Sequence, residues 1–196
     1  MGNYVEIRSI SFDTSFLLKD SYYIDEIIKK ISKDDIRCVI TSTVISELEQ
    51  LKIWGRISFK EWKNAFKKIK KLNSEIIDFK NRLLSDGFGK ICMKSMKEHH
   101  GIESKDIRND CNIITTTLKK GIDFIISEDY HFTSKMTKEV INDITHDACK
   151  EFSLMCNSNI YMTDSMIFFK AYDNGKIDID IIESNMKSIR KKGKQL

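Results

Sequence analysis

The sequence predicts an α/β protein of three layers, α/β/α, in which a central parallel β-sheet lies between helices and additional helices surround the core. Short β-branched or apolar runs alternate along the chain with amphipathic segments of ten or more residues. Strands joined by helices of that length form parallel βαβ units. The chain has 196 residues, 41% hydrophobic and 32% charged. That composition is typical of a globular chain and excludes a disordered one.

The first half of the chain predicts two strands and the helices that follow them. Residues 5–12 alternate and end apolar, as a strand does, and residues 14–32 have the apolar spacing of one or two helices. The β-branched run at 36–41 predicts a buried strand. Residues 42–54 begin at a Ser/Thr cap signal and predict a helix. A long helical pattern covers 57–84, and the residues that mark one face of it are Phe59, Trp62, Phe66, Ile69 and Ile76.

The second half predicts one further buried strand. Residues 104–120 have the pattern of a helix, and the apolar run at 122–127 predicts the strand that follows it. Two interpretations of residues 133–156 stay open, a single helix or a helix, a brief strand and a second helix. A turn at Gly175 and a helix at 178–190 complete the predicted elements.

We expect one domain over residues 1–157, with 57–100 as a helical elaboration within it, and a C-terminal extension over 158–196 that ends in a basic tail. No apolar run of 18 residues exists and the N-terminus is charged, so we expect a cytoplasmic protein without a membrane partner. Five cysteines without a CxxC pair predict reduced, mostly buried thiols, and make a disulfide framework or a zinc site unexpected.

Acidic side chains occur where ligands bind to a parallel sheet, beyond the carboxyl ends of its strands. Asp13 ends the first predicted strand, and Asp129 follows the strand at 122–127. Glu47 and Asp110 lie in predicted helices, and two helical turns are enough to bring each towards the same edge, which periodicity alone does not prove. Converging carboxylates repel unless a cation neutralises them, and oxygen ligands suit Mg²⁺ or Mn²⁺ better than zinc. The pattern predicts a divalent-metal site that activates water for attack on a phosphodiester.

Each acid taken alone has a simpler interpretation. A strand-end Asp is often the N-cap of the next helix, and a helical Glu is often only solvated. Asp106 lies four residues before Asp110 on the same helix face. It is either a supporting acid beside the metal or a capping acid near the positive end of the helix. The chain contains no GxxxxGK[ST], GxGxxG or GxSxG motif, so neither a phosphate-binding glycine loop nor a hydrolase elbow is indicated.

Four sequence blocks contain these acids and occur in a fixed order along the chain. They are FDTSFLL at 12–18, VISELEQL at 44–51, NDCNIITTTLKKG at 109–121 and FIISEDYHF at 124–132. In this order they resemble the motifs of the PIN-domain ribonucleases. The resemblance implies that the catalytic and metal-binding acids are Asp13, Glu47, Asp110 and Asp129. Thr14 and Ser127 match the hydroxyl positions beside those acids.

The same resemblance implies a Mg²⁺- or Mn²⁺-dependent endoribonuclease, of a toxin type or an RNA-processing type. Toxin-type members pair with an antitoxin and usually form homodimers, so a cognate antitoxin or other protein partner and a homodimer are expectations beside RNA. The chain departs from the family pattern in three places. The helix at 57–84 lengthens the middle region, His131 stands where many relatives carry a second acid, and residues after about 157 match nothing in the pattern.

A basic stripe on the helix at 57–84 is a candidate RNA-binding surface. It consists of Lys60, Lys63, Lys67 and Lys71, with Lys68 and Lys70 beside them. Such a stripe could follow a phosphate backbone, and the simpler interpretation is a solvated lysine face. We expect the neighbouring Phe59, Trp62 and Phe66 in a core or an interface rather than beneath stacked bases.

Two other function classes remain open at this point. A non-catalytic PIN-fold module would keep the fold and use its basic face to hold RNA or a protein. The presence of all four acids argues against that module. A receiver-like phosphoacceptor domain would need an acidic pair after the first strand, an acceptor Asp at a later strand end and a Lys after a further strand, and that arrangement is not apparent in the sequence.

Overall fold

The centre of the protein is a five-stranded parallel sheet, accompanied by a small three-stranded antiparallel sheet. The computed structural model describes residues 2–101, 107–151 and 160–186. The strands are β1 (Tyr4–Glu6), β2 (Ser9–Phe12), β3 (Arg37–Thr41), β4 (Glu75–Ile77), β5 (Phe124–Ile126), β6 (Tyr161–Thr163), β7 (Tyr172–Asp173) and β8 (Lys176–Asp178). The parallel sheet has the order β4-β3-β2-β5-β6, and the small sheet has the order β1-β8-β7.

Helices flank the parallel sheet, which confirms the predicted three-layer α/β/α architecture. They are α1 (Thr14–Leu18), α2 (Tyr22–Ile31), α3 (Ser42–Ile53), α4 (Phe59–Lys71), α5 (Arg82–His100), α6 (Arg108–Lys119), α7 (Tyr130–Thr133), α8 (Lys135–Asp143), α9 (Cys149–Glu151), α10 (Ser165–Ala171) and α11 (Ile179–Asn185), with a π-helical turn at Ile144–Ala148. None of the helices in the described ranges combines the length and the apolar composition that a membrane span requires.

The central strand β2 is buried along its whole length, as expected for a strand covered by helices on both faces. Ile10 and Phe12 have no exposed surface, and Ile125 of the neighbouring β5 is equally buried. The predicted strand at 5–12 is two strands in two different sheets, because β1 pairs with β8 whereas β2 pairs with β3 and β5. Because β2 is buried, the position of its carboxyl end is set by the surrounding core, and Asp13 is the residue that follows this end.

The prediction of one long helical pattern over 57–84 is wrong, because the segment contains α4, the strand β4 and the start of α5. α4 ends at residue 71, and Asn73 adopts a positive φ of 48° that ends the helical path. Ile76, whose spacing suggested a longer helix, instead lies in β4, which pairs with β3 at the sheet edge. The region 57–100 therefore supplies a strand of the main sheet as well as helices.

Residues after position 157 take part in both sheets. β6 extends the parallel sheet beside β5, and β8 pairs with β1. β7 and β8 are joined through Asn174 and Gly175, with φ of 47° and 78°, the two positive values of a type I′ hairpin turn. The turn predicted at Gly175 is confirmed. The domain boundary at 157 stays a prediction.

The expectation of reduced cysteines throughout the chain is wrong for one pair. Cys92 of α5 and Cys111 of α6 form a disulfide with their Cα atoms 5.6 Å apart. The pair is separated by 19 residues and has no motif spacing, so only the packing of α5 against α6 brings the two thiols together. Cys38 is a buried free thiol, and burial raises its pKa to about 12.

Candidate active site

Asp13 joins the carboxyl ends of the two central strands. Its Oδ2 accepts hydrogen bonds from Ser15 Oγ at 2.7 Å and from Ser127 Oγ at 2.9 Å, and it caps α1 by accepting from Ser15 N at 3.3 Å. Its backbone N donates to Ile126 O at 3.1 Å. Burial raises the pKa of the Asp13 carboxyl, the two hydroxyl hydrogen bonds lower it, and the charge of Glu47 raises it. Asp13 is therefore an N-cap and a member of a carboxylate cluster.

Glu47 reaches the cluster from the middle of α3. Thr14, the first residue of α1, donates its hydroxyl to Glu47 Oε2 at 2.6 Å. That contact fixes the Glu47 carboxylate beside the N-terminus of α1, close enough for its charge to act on Asp13. The hydroxyl predicted at position 14 thus orients an acid.

Asp110 enters from the first turn of α6. Burial raises the pKa of its carboxyl, and the negative charges of Asp13 and Asp129 raise it further. His131 Nδ1 lies 3.3 Å from Asp110 Oδ2, and this hydrogen bond lowers the same pKa. Desolvation is the largest cause, so ionised Asp110 is costly without a compensating positive charge.

Asp129 is the N-cap of the short helix α7 and is more exposed than Asp13 and Asp110. Its side chain is 42% exposed, and its Oδ1 accepts from His131 N at 2.8 Å. Its backbone N donates to Ser127 Oγ at 3.0 Å. Ser127 consequently contacts Asp13 and Asp129 through a single hydroxyl.

The predicted acids form a continuous electrostatic series at the carboxyl edge of the sheet. The charge of Glu47 raises the pKa of Asp13, and the charges of Asp13 and Asp129 raise the pKa of Asp110. Thr14 and Ser127 lie beside them with their hydroxyls bound to acids. Their catalytic roles stay predictions. Asp106, the predicted supporting acid, lies outside the described residues.

The donor chemistry of this cluster fits a hard divalent cation, since its ligands would be carboxylate oxygens. In the part of the chain that the structure describes, no group of three or more His, Cys, Asp or Glu side chains is arranged to hold a metal ion as it stands. The carboxylates are instead turned towards hydroxyls, amides and His131. Metal binding would therefore require side-chain rotation.

His131 belongs to the site although its sequence spacing did not predict this. Its Nδ1 lies 3.3 Å from Asp110 and 3.5 Å from Asp129 Oδ1, so one imidazole bridges acids from α6 and α7. The two acids are separated by 19 positions in sequence, and they share one imidazole only because α6 approaches the end of β5. The one sequence feature that could have pointed to His131 is that many relatives carry an acid at its position.

Glu128 is a second residue that the sequence did not single out. Its Oε2 pairs with Lys19 Nζ at 2.5 Å, and its Oε1 accepts from Ser165 N at 3.0 Å. Its backbone N donates to Ser15 Oγ at 2.9 Å. Glu128 therefore connects the site to α10, in the region after residue 157, and holds Ser15 against Asp13.

The predicted basic stripe lies on the solvent side of α4, with one correction. Lys60, Lys63, Lys67 and Lys71 are all exposed. Lys68 is only 7% exposed and donates to Leu17 O at 2.9 Å, Lys19 O at 2.6 Å and Asp20 Oδ1 at 2.8 Å. Its ammonium is a structural link to the end of α1 and does not add to the positive surface.

A comparison with protein families found that the model of the PIN domain matches residues 10–136. This range begins in β2 and contains all four predicted acids as well as His131. It ends before β6, which nevertheless completes the parallel sheet. None of the curated proteins with which the chain was compared matches it.

Proposed function

The chain belongs to the PIN-domain family, whose members are generally nucleases, and from this premise we propose that it is a divalent-metal-dependent endoribonuclease. The observation that carries the proposal is the burial of Asp13 within electrostatic reach of Glu47 and Asp110. The hydrogen-bond partners of Asp13 are neutral hydroxyls and an amide, which do not neutralise the negative charge. Buried like charges are costly, so this arrangement favours a bound cation.

Asp13, Glu47, Asp110 and Asp129 would hold the Mg²⁺ or Mn²⁺. The bound cation would supply activation of a water molecule and stabilisation of charge on the phosphodiester. The neighbouring residues position the acids: Thr14 orients Glu47, and Ser127 orients Asp13 while it accepts from the amide of Asp129. His131 bridges Asp110 and Asp129, which limits their separation.

RNA is proposed as the substrate because of the family resemblance and the exposed lysine stripe of α4. Phosphate contacts by lysine attract any nucleic acid, so the stripe supports a polyanionic substrate without distinguishing RNA from DNA. The toxin-type role and the RNA-processing role stay alternatives. An antitoxin partner and a homodimer stay predictions.

A non-catalytic RNA-binding module is the second candidate. The observation that favours it is the exposed lysine stripe of α4, which can contact a phosphate backbone without any part played by the acids. Such a module would bind RNA through α4 and leave it intact, with or without divalent ions.

The deciding experiment measures cleavage of a 5′-labelled single-stranded RNA with Mg²⁺, with Mn²⁺ and with chelator, beside a single-stranded DNA of the same sequence. Asp13→Asn and Asp129→Asn should each lower the cleavage rate by orders of magnitude. Asp78→Asn is the matched control, because Asp78 also follows a strand, β4, and accepts from Ser42 Oγ and Phe79 N, each at 2.8 Å. Unchanged cleavage in both cluster variants would exclude the nuclease mechanism, and binding without cleavage by wild type would favour the module.

A further inference from the structure

The corner between α3 and α4 exposes an unusual set of large apolar side chains. Ile53, Trp54 and Phe59 are 77%, 67% and 62% exposed. The corner is well defined, because Gly55 adopts the positive φ of 66° and Ser58 forms a capping box with Glu61. Exposed aromatic side chains on a rigid corner indicate a binding surface.

Phe59 is supported from beneath by other rings. It stacks on Trp62 with ring centroids 5.7 Å apart and an interplanar angle of 19°, and Trp62 lies 4.7 Å from Phe66. Lys52 Nζ lies 4.0 Å from the Trp62 ring centroid and 5.6 Å from that of Phe59. These contacts already hold the Phe59 ring in place, so a flat ligand that stacks on it costs little side-chain conformational entropy.

Positive charges surround these rings. Lys52 lies over them, and Arg56, Lys60 and Lys63 are exposed on and beside the corner. Glu61, the acid of this segment, has its carboxylate engaged by Ser58 N at 2.7 Å. Aromatic platforms among cations are the arrangement that binds single-stranded nucleic acid, whereas the centres of protein–protein interfaces are depleted in lysine.

The corner lies at the end of the helix that carries Glu47. Trp54 is the C-cap of α3 and follows Glu47 by seven residues, about two helical turns, so the two positions lie on the same side of α3 about 10 Å apart along its axis. That distance corresponds to about three stacked nucleotides. A single-stranded nucleic acid with one phosphate at the acids therefore reaches the corner within a few nucleotides.

We propose that Trp54 and Phe59 form a stacking platform for the bases of single-stranded RNA that extends from the acidic cluster along α3, with Lys52, Arg56, Lys60 and Lys63 contacting its phosphates. This inference rests on the proposed function, since it places the substrate of the same site. Phe59, which the sequence predicted in a core or an interface, would then contact the substrate.

The test measures binding of a fluorescein-labelled 12-nucleotide RNA by anisotropy in chelator, where cleavage does not interfere. Trp54→Leu and Phe59→Leu keep an apolar side chain and remove the aromatic face, and each should weaken binding by between about 5-fold and 100-fold. Trp54→Phe keeps a ring and should bind within a few-fold of wild type. Leu83→Ala is the control, because Leu83 is 84% exposed on a different helix, and it should bind as wild type does.

A second measurement uses tryptophan emission. The chain has two tryptophans, so Trp62→Phe leaves Trp54 as the single reporter, and RNA should quench its emission. Full affinity in both leucine variants, without quenching, would overturn the platform even when wild type cleaves RNA. The platform would also be overturned if the leucine variants lost a protein partner or self-association and bound RNA normally. Quenching and the affinity losses without any cleavage by wild type would overturn the nuclease assignment and support the platform.

Discussion

Ser127 Oγ donates a hydrogen bond of 2.9 Å to Asp13 Oδ2, although 114 residues separate the two in sequence. The same hydroxyl accepts from Asp129 N at 3.0 Å. Ser127 has no exposed surface, so water cannot replace either contact. A single buried hydroxyl thus holds together the acids that follow the two central strands.

Ser127→Ala should lower the free energy of unfolding by about 1–3 kcal/mol, because a buried carboxylate and a buried amide each lose a partner. Urea denaturation measures the change, and Ser127→Thr, which keeps the hydroxyl, is the control. In the double variant with Asp13→Asn the cost of removing the hydroxyl should be smaller, since the charged acceptor is gone. Equal costs in both backgrounds would show that Ser127 does not act through the Asp13 charge.

Asp13→Asn should be as stable as wild type or slightly more stable in chelator. The pKa of Asp13 is raised chiefly by desolvation, so its ionised form opposes folding at neutral pH and the neutral amide removes that cost. With Mg²⁺ or Mn²⁺ at about 100 times the dissociation constant, wild type alone should gain about 2.7 kcal/mol. Thermal shift measures both, and a lower melting temperature of the variant in chelator would assign Asp13 to simple capping.

Reduction of the Cys92–Cys111 disulfide should destabilise the protein by about 3 kcal/mol, the loop-closure value for 19 residues. Melting with and without reductant measures the effect. Cys92→Ala is the control, and its melting temperature should not respond to reductant. A wild-type melting temperature that does not change with reductant would contradict the Cys92–Cys111 bond.

Cys38 should resist thiol reagents in the native state, because its buried thiol has a pKa of about 12.

Stability should fall as the pH drops from 6.5 towards 4 because of His100. Burial lowers its pKa from 6.5 to about 4, with help from the charges of His131 and His99. The unfolded chain binds a proton below pH 6.5 while folded His100 stays neutral, so acid favours unfolding. After discount for its partial exposure, the loss is about 1–2 kcal/mol. Urea midpoints across this range should fall less steeply for His100→Gln, and parallel curves would refute the shift.

Changing Lys60, Lys63 and Lys67 to Glu should weaken RNA binding and flatten its salt dependence. Each lost phosphate contact should reduce the log–log slope by about 0.7 on single strands. Lys68→Met is the contrasting variant on the same helix. Its ammonium binds two carbonyls and Asp20, so the change should reduce stability and leave the salt slope unaltered. An unchanged slope in the triple variant would leave the stripe as a solvated face.

The sequence alone determined the α/β class and the placement of Asp13 and Asp129 at one edge of the sheet. Both features are local: a strand ends where its apolar run ends, and parallel strands share a carboxyl edge. The four motif blocks added Glu47 and Asp110 by resemblance. In the structure both acids lie within electrostatic reach of Asp13, because α3 directly follows β3 and the first turn of α6 approaches the same edge of the sheet.

The tertiary structure alone decided the features that depend on neighbours distant in sequence. Lys67 and Lys68 are adjacent on one amphipathic helix, yet only contact with the end of α1 buries the second. Ile76 has helical spacing and still joins β3, because pairing at the sheet edge outweighs a weak local preference. The Cys92–Cys111 bond and the His131 bridge likewise need the packing of α6 against α5 and the end of β5. Periodicity reports which face of an element is apolar, and it carries no information on which other element covers that face.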